Sequence, residues 1–485
     1  QTYFDERNLT VAVVRPRQPA AVPGGAAEGV PAGAGASPAG NEAGAAEPAG
    51  AAATGATGTR TKPTPEPTGV CETLPGGARL VVLENHRLPI ATLYVTLMGG
   101  VRLEDESRNG VSHVVAQQLT RGTATRSAEE IDSAVESIGA ALEGISGRNT
   151  LALAGTAMSG HLPRVLELAA DCLRRPAFPE ARLEQAKAEL CSRIRARLER
   201  PWDANLLLFH RTLYGPHPYA RPQHGSEASV GGLTRDDCRA FHARVLAPER
   251  MVIAVAGDVR REDIRERVQD ALAGMDAPTG IPGAPSLPVP PRFVPPASAI
   301  ERTQDIGNAT MAAVLLGFPT VDLAHADRWP LEVLQQVLSS MGGRMFVRLR
   351  DELALAYSVG CMSAPLLETG YFGFYILTQP DKVRVALAEM RTQIDALRRE
   401  GVAEGELADA RAALIGADLT DFQTNGARAH SMALDELYGL GHAHHFQFRR
   451  QVEAVTRDDL VRVAREYFRL ERSVTAITGP GLVEG

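Results

Sequence analysis

The stretch 109–123, NGVSHVVAQQLTRGT, has the frame of a metal-binding helix. It places a histidine at 113, two apolar residues, then two positions where a general base and a second ligand would fall. Residues i and i+4 share a helix face, so side chains at 113 and 117 can converge on one point. The chemistry such a frame serves is water activation: a metal acidifies the water and a carboxylate takes its proton. Here the two positions hold Ala116, which has no proton to move, and Gln117, whose amide oxygen is a poor zinc ligand. His113 is therefore expected to be a hydrogen-bonded helix histidine and not a ligand. His217, His224 and His242 are expected to be structural as well. So are His442, His444 and His445 of GHAHHFQF, which have no carboxylate at i+3 or i+4 and predict a solvated helix start. Cys71, Cys172, Cys191, Cys238 and Cys361 are scattered, odd in number and lack a CxxC pair. They predict neither a disulfide framework nor a cysteine metal site, with Cys172 and Cys191 as buried small hydrophobes.

These side chains need a scaffold, and 485 residues is too long for one hydrophobic core. Two or three domains are expected. A composition of 44% hydrophobic and 22% charged residues is that of ordinary globular protein. The net charge of −7 gives no reason to expect nucleic acid or an anionic membrane as partner. No apolar run approaches the roughly 20 residues that a membrane-crossing helix needs.

Residues 17–70 are mostly Ala, Gly, Pro and Thr, too poor in large apolar side chains to offset chain entropy, and are expected to be a disordered linker. A unit over 71–276 opens with the strands ARLVVLEN and IATLYVTLMGG, followed by the helix of His113. Ser127 with Glu130 three residues on predicts a capping box for the next helix. A proline-rich bridge (277–296) leads to a second unit (297–485) with the same order of strands and helices. Strands mixed with segregated helices predict an α+β fold, each unit a mostly antiparallel sheet packed with helices.

One pattern occurs twice. LTRDDCRAFHARVLAPERMVIAVAGDV (233–259) and VTRDDLVRVAREYFRLERSVTAITGPG (455–481) align without a gap, each reading as an N-cap threonine (Thr234, Thr456), an amphipathic helix, a charged turn and a strand. Such a long-period repeat signals duplicated domains. Residues 1–16 resemble the end of a third copy, so they are expected to be the final strand of an upstream module.

The chain resembles the pitrilysin–insulinase family of zinc peptidases, in its two-domain bacterial and mitochondrial-processing branch. The resemblance rests on NGVSHVVAQQLTRGT with ATRSAEEI, on LYGPHPYARPQHGSEASVGGLTRDD and its continuation, on GGRMFVRLRDELALAYSVG, and on VTRDDLVRVAREYF. It covers about 71–485. It implies two homologous domains forming one half of a clamshell. Active members hold zinc with an inverted HxxEH helix and a distant glutamate. On that pattern His113 matches the first histidine, Ala116 replaces the base, Gln117 replaces the second histidine, and Arg193 falls at or next to the distant glutamate. Three of the four groups are missing, so no metal is expected in this chain and zinc is expected in a partner.

The resemblance also implies a role for Arg350 and Tyr357 of LRDELALAY, which match a pair that the family's non-metal half turns toward the zinc site. A guanidinium fork and a phenol can hold substrate carbonyls and stabilise an oxyanion. Gly342 and Gly343 are expected to form either the tight turn that starts their helix or a plain loop. The reading is a non-catalytic, substrate-positioning half of a zinc metalloendopeptidase. Its partners are a zinc-bearing module of the same family and an extended peptide added to a sheet edge. The alternative is a retired peptidase serving as a scaffold, like the core proteins of the respiratory cytochrome complex. A soluble protein of bacterial cytoplasm or periplasm is expected, with the compartment open.

Overall fold

The computed structural model of the chain describes residues 68–273, 287, 289–307, 309–340 and 343–482. The expected strand at 1–16, nearly all of the linker at 17–70, Gly342 and much of the bridge at 277–296 lie outside the described residues.

Two mixed sheets organise the chain. The first contains β1 (Val70–Thr73), β2 (Arg79–Glu84), β3 (Ile90–Met98), β4 (Ala141–Ser146), β5 (Thr150–Met158) and β6 (Met251–Gly257), in the order β1-β2-β6-β3-β5-β4. Only β2 and β6 run parallel. The second contains β7 (Ile300–Asp305), β8 (Ala312–Thr320), β9 (Ser358–Ala364), β10 (Gly370–Thr378) and β11 (Val474–Gly479), in the order β7-β11-β8-β10-β9. Only β7 and β11 run parallel. The expected α+β architecture of two homologous halves is present.

The sequence repeat has a structural counterpart. Thr234 and Thr456 cap the helices Arg235–Val245 and Arg457–Tyr467, accepting from the backbone N–H groups of Asp237 and Asp459, each at 3.2 Å. The Asp237 and Asp459 carboxylates accept in turn from the threonine N–H groups at 3.0 and 2.9 Å. Each helix leads to a wholly buried strand, β6 or β11, that joins its sheet by the one parallel pairing. The predicted capping box at Ser127 and Glu130 is also present.

The two halves exchange helices. Pro201–Tyr214, which belongs by sequence to the first half, packs on β8 and β11 of the second sheet. There the buried Asn205 amide donates to the carbonyls of Ala313 and Ala476, both at 2.9 Å. In return, Asn425–Leu437 of the second half lies on β2, β3 and β6. It buries Ala429, Met432 and Ala433 against Val81, Leu83, Val252 and Ala254. Apolar burial of this kind stabilises by about 25 cal/mol per Å². It joins the halves through packed interior.

Candidate functional site: a degenerate metal frame

The helix Val111–Gln118 carries the frame, and its start is firmly held. Gly110 caps it at φ 98, a conformation that favours glycine. The buried Glu104 carboxylate accepts from the N–H groups of Gly110 and Ser112, both at 2.8 Å, and from the Asn109 amide at 2.6 Å. The two backbone N–H groups are donors that the helix start leaves unpaired. Burial pushes the Glu104 carboxyl up, and these hydrogen bonds oppose the shift. The edge strand β4 crosses the helix so closely that a Cβ on Gly144 would lie 1.9 Å from the Ala116 carbonyl oxygen. Glycine at 144 is a packing requirement.

Within this frame the side chains of His113 and Gln117 do meet. The Gln117 amide nitrogen lies 3.1 Å from His113 Nε2, and His113 Nδ1 lies 3.2 Å from Ser146 Oγ. An amide nitrogen is only a donor, so Nε2 accepts and the ring proton sits on Nδ1, directed at Ser146. The lone pair that would bind a metal is thus occupied by a neighbour on the same helix face. Burial, then the charges of His224 and Arg193, lower the His113 pKa to about 3. The ring is neutral at ordinary pH.

His224 was expected to be structural, yet it is part of this site. Its ring stands edge-on to His113 at 4.6 Å, and its Nδ1 accepts from Arg197 at 3.2 Å. Burial and then the charges of Arg197, Arg193 and Arg148 lower its pKa to about 4. The loop arrives here because the His224 carbonyl and Gly225 pack against Gly110 and Asn109. The exposed Arg193 adds its positive charge to the lowering at both rings. Zinc, which the resemblance implies for active relatives, does not fit this frame: Nε2 of His113 is taken, Ala116 offers no base, and the local charge is positive.

In the second half, Arg350 and Tyr357 are both on the surface. The expected single helix from Arg344 is instead a short α-turn, Arg344–Phe346, that widens into a π-helical turn, Val347–Glu352. Ala354 follows at φ 49, a strained value for a residue with a Cβ. Arg344 is paired with Glu406 at 2.8 Å, and Arg348 with Glu352 at 2.7 Å and Glu389 at 2.9 Å. Arg350 has no carboxylate partner among the described residues; its guanidinium lies 4.8 Å from the centre of the Phe346 ring. Tyr357 is tied to β10 by its N–H, which donates to the Leu377 carbonyl at 2.9 Å, while its side chain is 72% exposed. Gly343 caps the turn with φ −70, so it does not serve through left-handed backbone; a Cβ there would lie 2.8 Å from the Leu338 carbonyl oxygen.

The remaining histidines divide. His217 is buried, lies 2.8 Å from Glu368 and accepts from the Tyr219 N–H; His242 lies 2.8 Å from the Leu173 carbonyl. Both are structural, as expected. The predicted solvated helix start at 442–445 is corrected: all three histidines are half-buried. His445 contacts Asp418 at 2.8 Å and stacks on Phe422 at 4.0 Å, and His444 packs on Trp329. His442 lies beside Glu436 and Cys71, a juxtaposition that local spacing did not show. All five cysteines are free. Cys172 is buried as expected, whereas Cys191 is half-buried.

Fold and site together define a scaffold of two homologous α+β halves, with His113, Ala116 and Gln117 on one helix of the first and Arg350 and Tyr357 exposed on the second. Residues 79–226, which hold that frame, match Insulinase (Peptidase family M16), and residues 232–414, which hold Arg350 and Tyr357, match Peptidase M16 inactive domain. The chain belongs to peptidase family M16. It is similar to an uncharacterized zinc protease of Streptomyces coelicolor, 27% identical over 410 residues that cover 84% of this chain and 89% of the relative. It is also similar to one of Bacillus subtilis, 23% identical over 410 residues that cover 84% and 98%. Among solved structures it resembles a peptidase M16 inactive domain from Pseudomonas fluorescens, with TM-score 0.77 and 22% identity over 86% of this chain and 99% of that one. A protease from Helicobacter pylori superposes with TM-score 0.79 at 20% identity, over 85% and 100%. No helix among the described residues is long and apolar enough to cross a membrane.

Proposed function

We propose that this chain is the non-catalytic, substrate-positioning half of a zinc metalloendopeptidase, completed by a zinc-bearing module of the same family. The observation that carries the reading is the fate of the His113 lone pair. It accepts a hydrogen bond from Gln117 in a frame where Ala116 stands for the base and Arg193 for the distant carboxylate. Hydrolysis then depends on a metal supplied by the partner. This chain contributes Arg350 and Tyr357, both exposed and free of carboxylate partners among the described residues. Their guanidinium and phenol would bind carbonyl oxygens of an extended peptide and stabilise the oxyanion formed as water attacks.

The scaffold alternative leaves Arg350 and Tyr357 without a task, and the two readings separate in one experiment. The chain is combined with a zinc-bearing module of the family, and cleavage of a quenched, unfolded peptide is followed with and without a chelator. Cleavage should require both modules and the metal. Arg350→Ala or Tyr357→Phe should reduce it about 10- to 1,000-fold, as loss of one oxyanion or carbonyl donor does. Full activity of the pair with both substitutions would refute the positioning role.

A further inference from the structure

The described chain contains one cluster of mixed ligating groups outside the degenerate frame, at the seam where the exchanged helix meets the first sheet. Cys71 lies on β1, at the outer edge of that sheet. Glu436 lies in the last turn of the helix Asn425–Leu437. The chain then reverses through Gly439 and Gly441, at φ 78 and 86, and brings His442 back against Glu436. The Cys71 thiol, a Glu436 oxygen and a His442 ring nitrogen lie within 4.8 Å of one another.

We propose that Cys71, Glu436 and His442 form a binding site for one zinc-like divalent cation, which fastens β1 to the exchanged helix. A thiolate, an imidazole and a carboxylate are a ligand set that selects zinc or cobalt over magnesium or calcium, with water in the fourth position. The carboxylate is already oriented. Its Oε1 is paired with Arg79 at 3.0 Å, and its Oε2 accepts from the His442 N–H at 2.9 Å. That Oε2 is 3.8 Å from His442 Nδ1, a gap that a shared ion can span. The end of a helix also favours a cation, since its last carbonyl groups carry partial negative charge. Cys71 is half-buried and packs against the apolar cluster that holds Val81, Val252 and Met432. Burial and the neighbouring Glu436 charge push the thiol up to about 11, so without an ion it holds its proton. Binding the cation expels that proton to solvent as the metal–sulfur bond forms.

The test titrates the full chain with Co²⁺ in chelator-free buffer and follows the thiolate-to-cobalt charge-transfer band. The band should saturate at one equivalent per chain and disappear when Zn²⁺ is added. It should be absent in Cys71→Ser, weakened at least about tenfold in apparent affinity in His442→Gln, and unchanged in Cys191→Ser. Alkylation of the unmutated chain with iodoacetamide, mapped by mass spectrometry, gives a readout independent of variant folding: Zn²⁺ should protect Cys71 and leave Cys191 reactive. A band that survives Cys71→Ser, no band in the unmutated chain, or alkylation of Cys71 unaffected by Zn²⁺ would overturn the assignment.

Discussion

Replacing His113 by glutamine tests the electrostatics of the degenerate frame directly. Glutamine can keep a hydrogen bond to Ser146 or Gln117 but cannot take up a proton. In the folded chain the His113 pKa is lowered to about 3, by burial first and then by His224 and Arg193, from the ordinary imidazole value of 6.5. Above pH 6.5 the ring is neutral folded and unfolded, so its ionisation contributes nothing to stability. As pH falls below 6.5 the unfolded chain binds a proton that the folded chain refuses, so stability declines, down to about pH 3 where the folded ring titrates. At pH 5 the two pKa values imply a ratio of about 30 in the unfolding equilibrium, or about 2 kcal/mol as an upper figure for this half-buried ring. The prediction is a crossing in relative stability. His113→Gln should match the parent within about 1 kcal/mol at pH 7.5, then gain on it by up to about 2 kcal/mol at pH 5. Urea unfolding at the two pH values measures this. His210, His242 and His430 are also depressed by burial, and their contribution cancels in the comparison. Parallel pH profiles for variant and parent would show that His113 is protonated in the folded chain, and the account of its blocked lone pair would fail.

The helix exchange makes Gly317 on β8 a sensitive position, because a Cβ there would lie 2.3 Å from the ring of Phe209. Gly317→Ala should cost about 1–3 kcal/mol by overpacking, read as a lowered unfolding midpoint, and no loss would mean that the two halves are not docked through this helix. Asp171 anchors the loop ahead of Ser127: it is buried and accepts from Thr123, Thr125, Arg126 and Arg175. Burial pushes its carboxyl up, but these four bonds override it and leave the pKa below the usual 3.8. Its contribution is present above pH 3.8 and is lost as pH falls through the depressed value. Asp171→Asn should cost about 2–3 kcal/mol at pH 7 by thermal or urea unfolding, with the deficit shrinking only in strong acid.

The parts legible in the sequence were those set by short-range pattern. Alternating and continuous apolar runs placed the strands, and Thr234, Thr456 and Ser127 placed helix starts, because each cap is completed within three residues. His113, Ala116 and Gln117 were legible because one helical turn brings them together. His224 and Arg197 were not. His224 reaches His113 through a loop docked on Gly110, Arg197 reaches His224 from the helix Glu180–Leu198, and no local spacing encodes either contact. The exchange of Pro201–Tyr214 and Asn425–Leu437 escaped for the same reason. An apolar face shows that a helix is buried, but not which sheet buries it. Cys71 meets Glu436 and His442 only through that exchange.

The π-helical turn under Arg350 was also invisible in the sequence, since RMFVRLRDEL satisfies ordinary helical spacing. A π-turn carries one residue more than the α-helical ladder needs, and such turns concentrate at functional positions. Here it contains Arg350, ends five residues before Tyr357 and is followed by the strained Ala354, while Leu349 and Leu355 are buried beneath the exposed Arg350 and Tyr357. If the turn serves only packing, removing the extra residue should be harmful. If it sets the direction of Arg350 relative to Tyr357, removal should leave the fold intact and spoil the pair. Deleting the exposed Asp351 separates these outcomes. The shortened chain should unfold at an unchanged or higher temperature, because the regular ladder replaces the π-turn. Cleavage by the assembled pair should fall about 100-fold, the scale expected when a positioning group is displaced by about an ångström. A stable deletion variant that supports full cleavage would remove the reason for placing Arg350 at the partner's site. A lowered unfolding temperature would assign the turn to packing instead.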